Sequence, residues 1–313
     1  MLNFIHKPVL LKETLELLNI KKDGIYIDCT AGGAGLSCEI AKKLDANGCI
    51  FAIDCDPDAI EVCNIRLKEF KNAKVLERNF TEIKKIHQEI CIFLNKTVKI
   101  DGIILDLGLS SYQIDTPERG FSYMQDGPLD MRMSKNGISA KDIINNFSEL
   151  ELTKIIKNFG EERYAKKIAS AICIKRKQKN INSTKELVDI IQKSVPHSNF
   201  GGHVAKKTFQ ALRIVVNDEL KNFKKVLEKS IEILESHGRI ATVVFHSLED
   251  KIAKQTMTQW SKGCICPPDI PICACSHKVL VKLLTKKPII PSQFEQEANP
   301  RSKCAKLRVC EKY

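Results

Sequence analysis

The chain has 313 residues, 43% of them hydrophobic, a net charge of +12 and a pI near 9.0. That is ample for a packed core in one large domain or two of ordinary size. The longest apolar runs, such as Ile240–Phe245, are strand-sized and exclude a membrane-spanning helix, while the positive excess favours a polyanionic partner.

The first residues, Met1–Leu11, lack a basic segment followed by a small-residue cleavage site, so no export signal is expected. Nine of the thirteen cysteines are scattered through strand and helix patterns, as suits buried small apolar residues of a cytoplasmic protein with reduced thiols.

Strand patterns recur at Ile25–Asp28, Cys49–Asp54, Lys74–Glu77 and Gly102–Leu107. Helical periodicity fills the gaps at Leu36–Leu44, Pro57–Phe70 and Phe80–Leu94, each opening near a Ser, Asp or Thr that can cap it. This alternation predicts a parallel sheet with helices on both faces, an α/β Rossmann-like fold, with ligands held beyond the carboxyl ends of the strands. A loop rich in Gly, Ser, Asp and Pro follows from Gly108 to Asn136. Helical segments come next at about Ala140–Phe147, Glu149–Phe159, Arg163–Lys177 and Ser183–Ser194, with no strand among them. The alternation resumes with a helix at Val216–His237, a strand at Arg239–Phe245, a helix from Leu248, and strands near Lys278–Leu284 and Ala305–Glu311.

The simplest organisation is one core domain, residues 1–116 and 214–313, interrupted by an all-helical insertion, 117–213. Between Pro117 and Arg213 there are 18 Lys and Arg against 10 Asp and Glu, so this stretch carries +8 of the +12. Its densest part, Ile174–Lys185, predicts a phosphate-binding surface, with a merely solvated face as the alternative.

The run Ile25-Tyr-Ile-Asp-Cys-Thr-Ala-Gly-Gly-Ala-Gly-Leu-Ser37 carries a strand into a glycine-rich turn and a helix. Gly32, Gly33 and Gly35 let the backbone approach a ligand closely. Asp54, at the end of the second strand, is placed to accept both hydroxyls of a ribose. In Asp101-Gly-Ile-Ile-Leu-Asp-Leu-Gly-Leu-Ser-Ser-Tyr-Gln113, apolar residues deliver Asp106 to the tip of the fourth strand beside two serines. A carboxylate and hydroxyls there can position a substrate amine, although a turn cap would use the same residues.

From these blocks the chain resembles the bacterial ribosomal RNA small subunit methyltransferase H (MraW-type) family. The likeness extends through His6–Glu13, Arg119-Gly-Phe-Ser122, Pro128–Met133, Thr208–Ile214, Asn217–Leu220, Phe245-His-Ser-Leu-Glu-Asp250 and Asn299–Ser302. The resemblance implies a class I methyltransferase that uses S-adenosylmethionine to methylate N4 of a cytidine in 16S ribosomal RNA. Its partner is then the small ribosomal subunit or its RNA, with no membrane and no stable protein partner. The resemblance also implies cofactor contacts at Ala34, Gly35, Leu36, Asp54, Phe80, Asp106 and Gln113. The family loop usually reads Gly-Arg-Gly-Gly-His-Ser, whereas this one reads Gly32-Gly-Ala-Gly-Leu-Ser37. A loop that works through its amides tolerates that change, while any role of the histidine side chain is lost. Val204 likewise replaces a usual proline.

Methyl transfer from a sulfonium chiefly requires alignment, but a cytosine amine is a poor nucleophile and gains from a hydrogen-bond acceptor on its N–H. The Asn/Asp-Pro-Pro-aromatic turn of many amino-methylating enzymes is absent, and Asp106-Leu-Gly-Leu-Ser-Ser111 stands in its place. Asp106, Ser110 and Ser111 are the candidate catalytic residues, with Asp130 as an outside candidate. Tyr112, Phe121 and Tyr123 are candidates for stacking on a splayed base, or core plugs. Arg119, Arg132 and Arg213 are candidates for phosphate or base-edge contacts, or surface ion pairs.

Cys264-Ile-Cys266 and Cys273-Ala-Cys275 resemble a metal knuckle, but the spacing is C-x-C and not the C-x-x-C of a typical zinc turn. No metal is assigned to the catalytic site. Three other readings compete: base methylation of DNA, a nicotinamide-dependent dehydrogenase sharing the glycine loop, and a non-catalytic ribosome-assembly factor.

Overall fold

The computed structural model describes residues 8–196, 202–264, 266, 275 and 277–313. In chain order its elements begin with α1 (Leu11–Leu18), β1 (Ile25–Asp28), α2 (Gly35–Ala41), β2 (Cys49–Asp54), α3 (Pro57–Leu67), β3 (Ala73–Glu77), α4 (Ile83–Phe93) and β4 (Ile100–Asp106). There follow α5 (Ser111–Asp115), α6 (Ala140–Asn146), α7 (Glu149–Gly160), α8 (Ala165–Arg176), α9 (Thr184–Ser194) and α10 (Lys206–Val216). The last stretch holds α11 (Glu219–Ile233), β5 (Leu234–Val244), α12 (Ser247–Trp260), β6 (Val281–Leu283), α13 (Gln293–Ala298) and β7 (Lys306–Lys312). The chain divides into two units: Met1–Gly108 with Leu220–Tyr313, and Leu109–Glu219.

The first unit is built on a seven-stranded sheet in the order β3-β2-β1-β4-β5-β7-β6. Strands β1 to β5 pair in parallel, as strand–helix alternation predicts. The sheet is not parallel throughout, because β7 runs against both β5 and β6. Both faces are covered, so the central strands are continuously apolar. On one face Ile25, Ile27, Phe51, Ile53, Ile103 and Leu105 pack with residues of α4, α11 and α12. On the other, Tyr26, Ile50, Ala52 and Ile104 pack with residues of α1, α2 and α3. Buried Cys29, Cys49, Cys63 and Cys310 fill these layers as small apolar groups, and burial raises their thiol pKa values.

The second unit is a bundle of α5–α10 around its own core, including Ile143, Ile156, Ile168, Ile172, Leu187 and Leu212. Four of these six helices start where the sequence supplies Ser followed three residues later by an acid or amide, while α8 and α10 open at Tyr164 and Ala205 with no side-chain cap. Ser110/Gln113, Ser139/Asp142, Ser148/Glu151 and Ser183/Glu186 all form reciprocal capping boxes. Gly127 and Gly120 are fixed by packing: an added Cβ would lie 1.9 Å from the Pro117 carbonyl oxygen and 2.1 Å from that of Pro128, respectively.

One helix expected at Val216–His237 is divided differently. α10 ends at Val216, Asp218 takes a left-handed conformation with φ 49°, and α11 starts at Glu219. The break is held by Asn217, whose amide nitrogen donates to the Met131 carbonyl (2.8 Å) and whose Oδ1 accepts the Met133 N–H (2.9 Å). At the far end β5 begins at Leu234, paired with Ile100 across a register shift in β4.

Candidate functional site

After β1 the chain crosses to β2 on one side, and after β4 to β5 on the other. The carboxyl ends of β1 and β4 therefore flank the switch point where open α/β sheets hold ligands. Asp28, 1% exposed, closes β1; its carboxylate accepts the Ser37 hydroxyl (2.7 Å) and the Thr30 amide (3.2 Å). Burial pushes its pKa up to about 6 against those two hydrogen bonds, which tie the start of α2 to the strand.

Two residues of the glycine loop are left-handed: Gly32 (φ 50°) and Ala34 (φ 56°). Gly33 and Gly35 are not. Ala34 adopts a conformation that costs a non-glycine residue on the order of 1 kcal/mol, and nothing in an alanine signals that. Nor does a Ser, Asp or Thr cap α2, which opens at Ala34 with no side-chain cap. The expectation holds at the next helix, where Asp56 accepts the Asp58 amide (3.1 Å).

Asp54 ends β2 half-buried. Its Oδ2 accepts the Gly32 amide and its Oδ1 the Asp56 amide, each at 2.9 Å. The Cys55 amide donates to the carboxylate as well, so the side chain shapes the loop and offers a diol what remains of its acceptor capacity. Burial raises its pKa to about 6, opposed by those amides. Phe80 follows β3 at the start of a short 3-10 turn capped by Asn79, with its ring partly buried against the sheet core.

Asp106 closes β4. Its backbone N–H donates to Thr30 Oγ1 at 2.7 Å, joining the ends of β4 and β1. Its Oδ1 is buried with no hydrogen-bond partner. Burial, then the charges of Asp28 and Glu249, push the carboxyl up to about 8. An unpartnered buried carboxyl oxygen at the switch point is a place for a ligand's N–H.

The adjacent end of β5 adds residues to which the sequence assigned no role. Glu249, 1% exposed, accepts the amides of Phe245 (2.8 Å) and His246 (3.2 Å), and His246 Nδ1 accepts the Glu249 amide (3.4 Å). His246 Nε2 is buried 3.1 Å from Glu249 Oε1 without an aligned hydrogen bond. The available signal was the H-x-x-E spacing, a capping box with histidine in the serine position. Asp250 is structural: burial raises its pKa, but Arg308 (2.6 Å) and Lys306 (3.0 Å) outweigh this and hold it low.

The remaining candidate residues lie in the second unit. Ser110 and Gln113 are joined in the α5 capping box, and Ser111 is the first residue of that helix. Asp130 forms a bidentate pair with Arg132, 2.6 Å at its shortest. Burial raises the carboxyl and the guanidinium more than reverses it. Arg119 is buried and donates to the carbonyls of Arg132 (3.0 Å) and Met133 (2.9 Å). Arg213 makes a bidentate pair with Glu219 at 2.8 and 2.7 Å. All three arginines thus serve the bundle's own architecture. Phe121 is buried in its core, and Tyr123 stacks on His203 with centroids 4.8 Å apart. By contrast Lys154, Lys157, Arg163, Lys166, Lys167, Lys175 and Lys177 are exposed on or beside α7 and α8. Elsewhere in the first unit, Cys264, Cys266 and Cys275 converge. His6, Lys7 and Cys273 lie outside the described residues.

Uncapped backbone at α2, the remaining acceptor capacity of Asp54 and the orphaned oxygen of Asp106 fit a ligand with a diol and a polar reacting end. Among the described residues no helix is long and apolar enough to cross a membrane.

Residues 3–313 match the family described as MraW methylase family. The chain is 50% identical over 313 residues to Ribosomal RNA small subunit methyltransferase H of Clostridium botulinum (strain 657 / Type Ba4), covering 99% of this chain and 100% of that one. It is 51% identical over 308 residues to the protein of the same name from Caldicellulosiruptor saccharolyticus (98% and 99% covered). A solved structure described as a putative rRNA-methylase from Clostridium thermocellum aligns over 98% of this chain and 99% of its own, at 11% identity and a TM-score of 0.45. Those last values add nothing to the topology above.

Proposed function

The chain belongs to the MraW methylase family, and on that premise we propose that it methylates the exocyclic N4 of a cytidine in 16S ribosomal RNA, using S-adenosylmethionine. The cofactor supplies a methyl group on a positively charged sulfonium, an electrophile that asks mainly for alignment. The chain holds it through the amides of Gly35 and Leu36, the carboxylate of Asp54, the ring of Phe80 and the carboxyl of Asp106; the Ala34 amide, expected to join them, is donated instead to the Ala31 carbonyl at 2.7 Å, which leaves Ala34 to shape the turn. Ser110, Ser111 and Gln113 stay as candidates carried by the resemblance.

Asp106 is the catalytic residue in this reading. The lone pair of a cytosine amine is conjugated with the ring, and positive charge develops on its N–H as the new bond forms. Asp106 accepts that N–H, restoring nucleophilicity where the charge appears. Its buried Oδ1 without a protein partner is the observation that carries the assignment. With a pKa raised to about 8 the ligand-free carboxyl is largely protonated at neutral pH, and a cation held beside it would bring it back to the accepting form. The exposed lysines and Arg163 of α7 and α8 bind the RNA backbone through its phosphates. The reaction takes place in the cytoplasm, with the ribosomal RNA.

The test is mass spectrometry of 16S rRNA nucleosides from a deletion strain. N4-methylated cytidine disappears, returns with the intact gene, and does not return with Asp106→Asn. Persistence of the modified nucleoside in the deletion strain overturns the reading.

A further inference from the structure

The connection from α12 to β6 holds Cys264-Ile-Cys266 and Cys273-Ala-Cys275. We propose that Cys264, Cys266 and Cys275 bind a structural zinc ion that pins this connection to the sheet domain. The three sulfur atoms lie within 4.8 Å of one another, and Cys264 Sγ is 3.8 Å from Cys275 Sγ. Zn–S bonds of about 2.3 Å at tetrahedral angles place two ligand sulfurs about 3.8 Å apart. A disulfide would place them at about 2.05 Å.

The backbone N–H of Cys266 donates to Cys264 Sγ at 3.4 Å, an outer hydrogen bond that orients the sulfur as a ligand. Soft, sulfur-rich tetrahedral sites take zinc or an iron–sulfur cluster. Three sulfurs converging on one point share a single ion, whereas a cluster spreads its cysteines over separate irons. Cys273 is the fourth sulfur in the sequence.

The connection runs from the end of α12 at Trp260 to the start of β6 at Val281. Its ends are already drawn together: Leu280 N–H donates to the Trp260 carbonyl at 2.8 Å, and His277 Nε2 lies 3.1 Å from the Gln259 carbonyl. An ion binding the folded loop and not the unfolded one adds its binding energy to folding. The loop lies apart from Asp54 and Asp106 in sequence and uses no residue assigned to them, so the zinc is structural.

The experiment measures metal by mass spectrometry in full-length protein purified without a polyhistidine tag or chelator. About one zinc per chain is expected, released when a mercurial titrates the thiols. Cys264→Ser and Cys275→Ser should each lower zinc affinity at least tenfold and lower the melting temperature. Cys304→Ser, at an exposed cysteine outside the cluster, should change neither. Far-UV circular dichroism and S-adenosylhomocysteine binding of the variants exclude unfolding as the cause of metal loss. Metal-free protein that takes up no zinc on titration, or protein carrying iron and acid-labile sulfide, overturns the proposal.

Discussion

The two units treat their charged groups in opposite ways. In the helical unit the candidate charges are satisfied internally: Asp130 by Arg132, Arg213 by Glu219, Arg119 by two carbonyls. At the rim of the sheet three acids sit with raised pKa values, and Asp106 Oδ1 and His246 Nε2 have no hydrogen-bond partner. Motifs in the first region specify a shape, whereas motifs at the rim leave an incomplete hydrogen-bonding set that a ligand can finish. Buried polar groups are almost always paired; the hydroxyls of Thr14, Thr208 and Ser302 are exceptions as well, so what marks the rim is that its exceptions are an ionisable carboxyl and an imidazole at strand ends.

The sharpest way to break this contrast is Asp106→Asn. Single-turnover methyl transfer should slow by about 10²–10³, the usual cost of one transition-state hydrogen-bonding group, with stability unchanged or improved. An unchanged rate would remove Asp106 from the chemistry. The same variant sharpens the electrostatic half. A carboxyl whose folded pKa lies above its unfolded value binds its proton more tightly in the folded chain, so stability falls as pH rises from about 4 to the folded value. Asp28 and Asp54 finish titrating near 6 and Asp106 near 8. Between pH 6 and 8 the ligand-free protein should therefore lose stability in chemical denaturation, and Asp106→Asn should flatten that slope.

Next in size, Asp54→Asn should weaken S-adenosylhomocysteine binding by about 10–100-fold in calorimetry, the range for a hydrogen bond to a charged group. NAD binding should be absent in both forms. Gly127→Ala tests the other side of the contrast. Its Cβ would overlap the Pro117 carbonyl, costing about 1–3 kcal/mol in thermal melts, while cofactor affinity holds. The smallest effect belongs to the exposed cations. Replacing Lys166, Lys175 and Lys177 by Gln should weaken RNA binding and reduce its salt slope by about one for each lysine–phosphate ion pair removed, leaving kcat unchanged at saturating RNA.

Much of this was legible because local and global preferences agree. β1 and β2 fall at the bounds their apolar runs predict, and α6, α7 and α9 start at their serine caps. The break at Asn217–Asp218 was not legible, since the Asn217 side chain is committed to Met131 and Met133, far away in sequence. Position 34 was hidden for a different reason: the left-handed turn falls on an alanine between glycines. The Asp106 position could be read from strand periodicity, but its missing partner is a fact of packing. His246 and Glu249 were visible as a motif and unassigned because a histidine cap reads like an ordinary helix start.

β4 and β5 are hydrogen-bonded neighbours, although residues 109–219 intervene between them in the chain. When the helical bundle is unfolded, joining those strands means closing a very long flexible loop. Once it folds, its residues cease to count as slack, and a tenfold shortening of free chain lowers the closure cost by about 2 kcal/mol. The order of assembly then matters: a bundle weakened at Gly127 would delay pairing of the two central strands, a kinetic defect visible in refolding even where the finished sheet is intact.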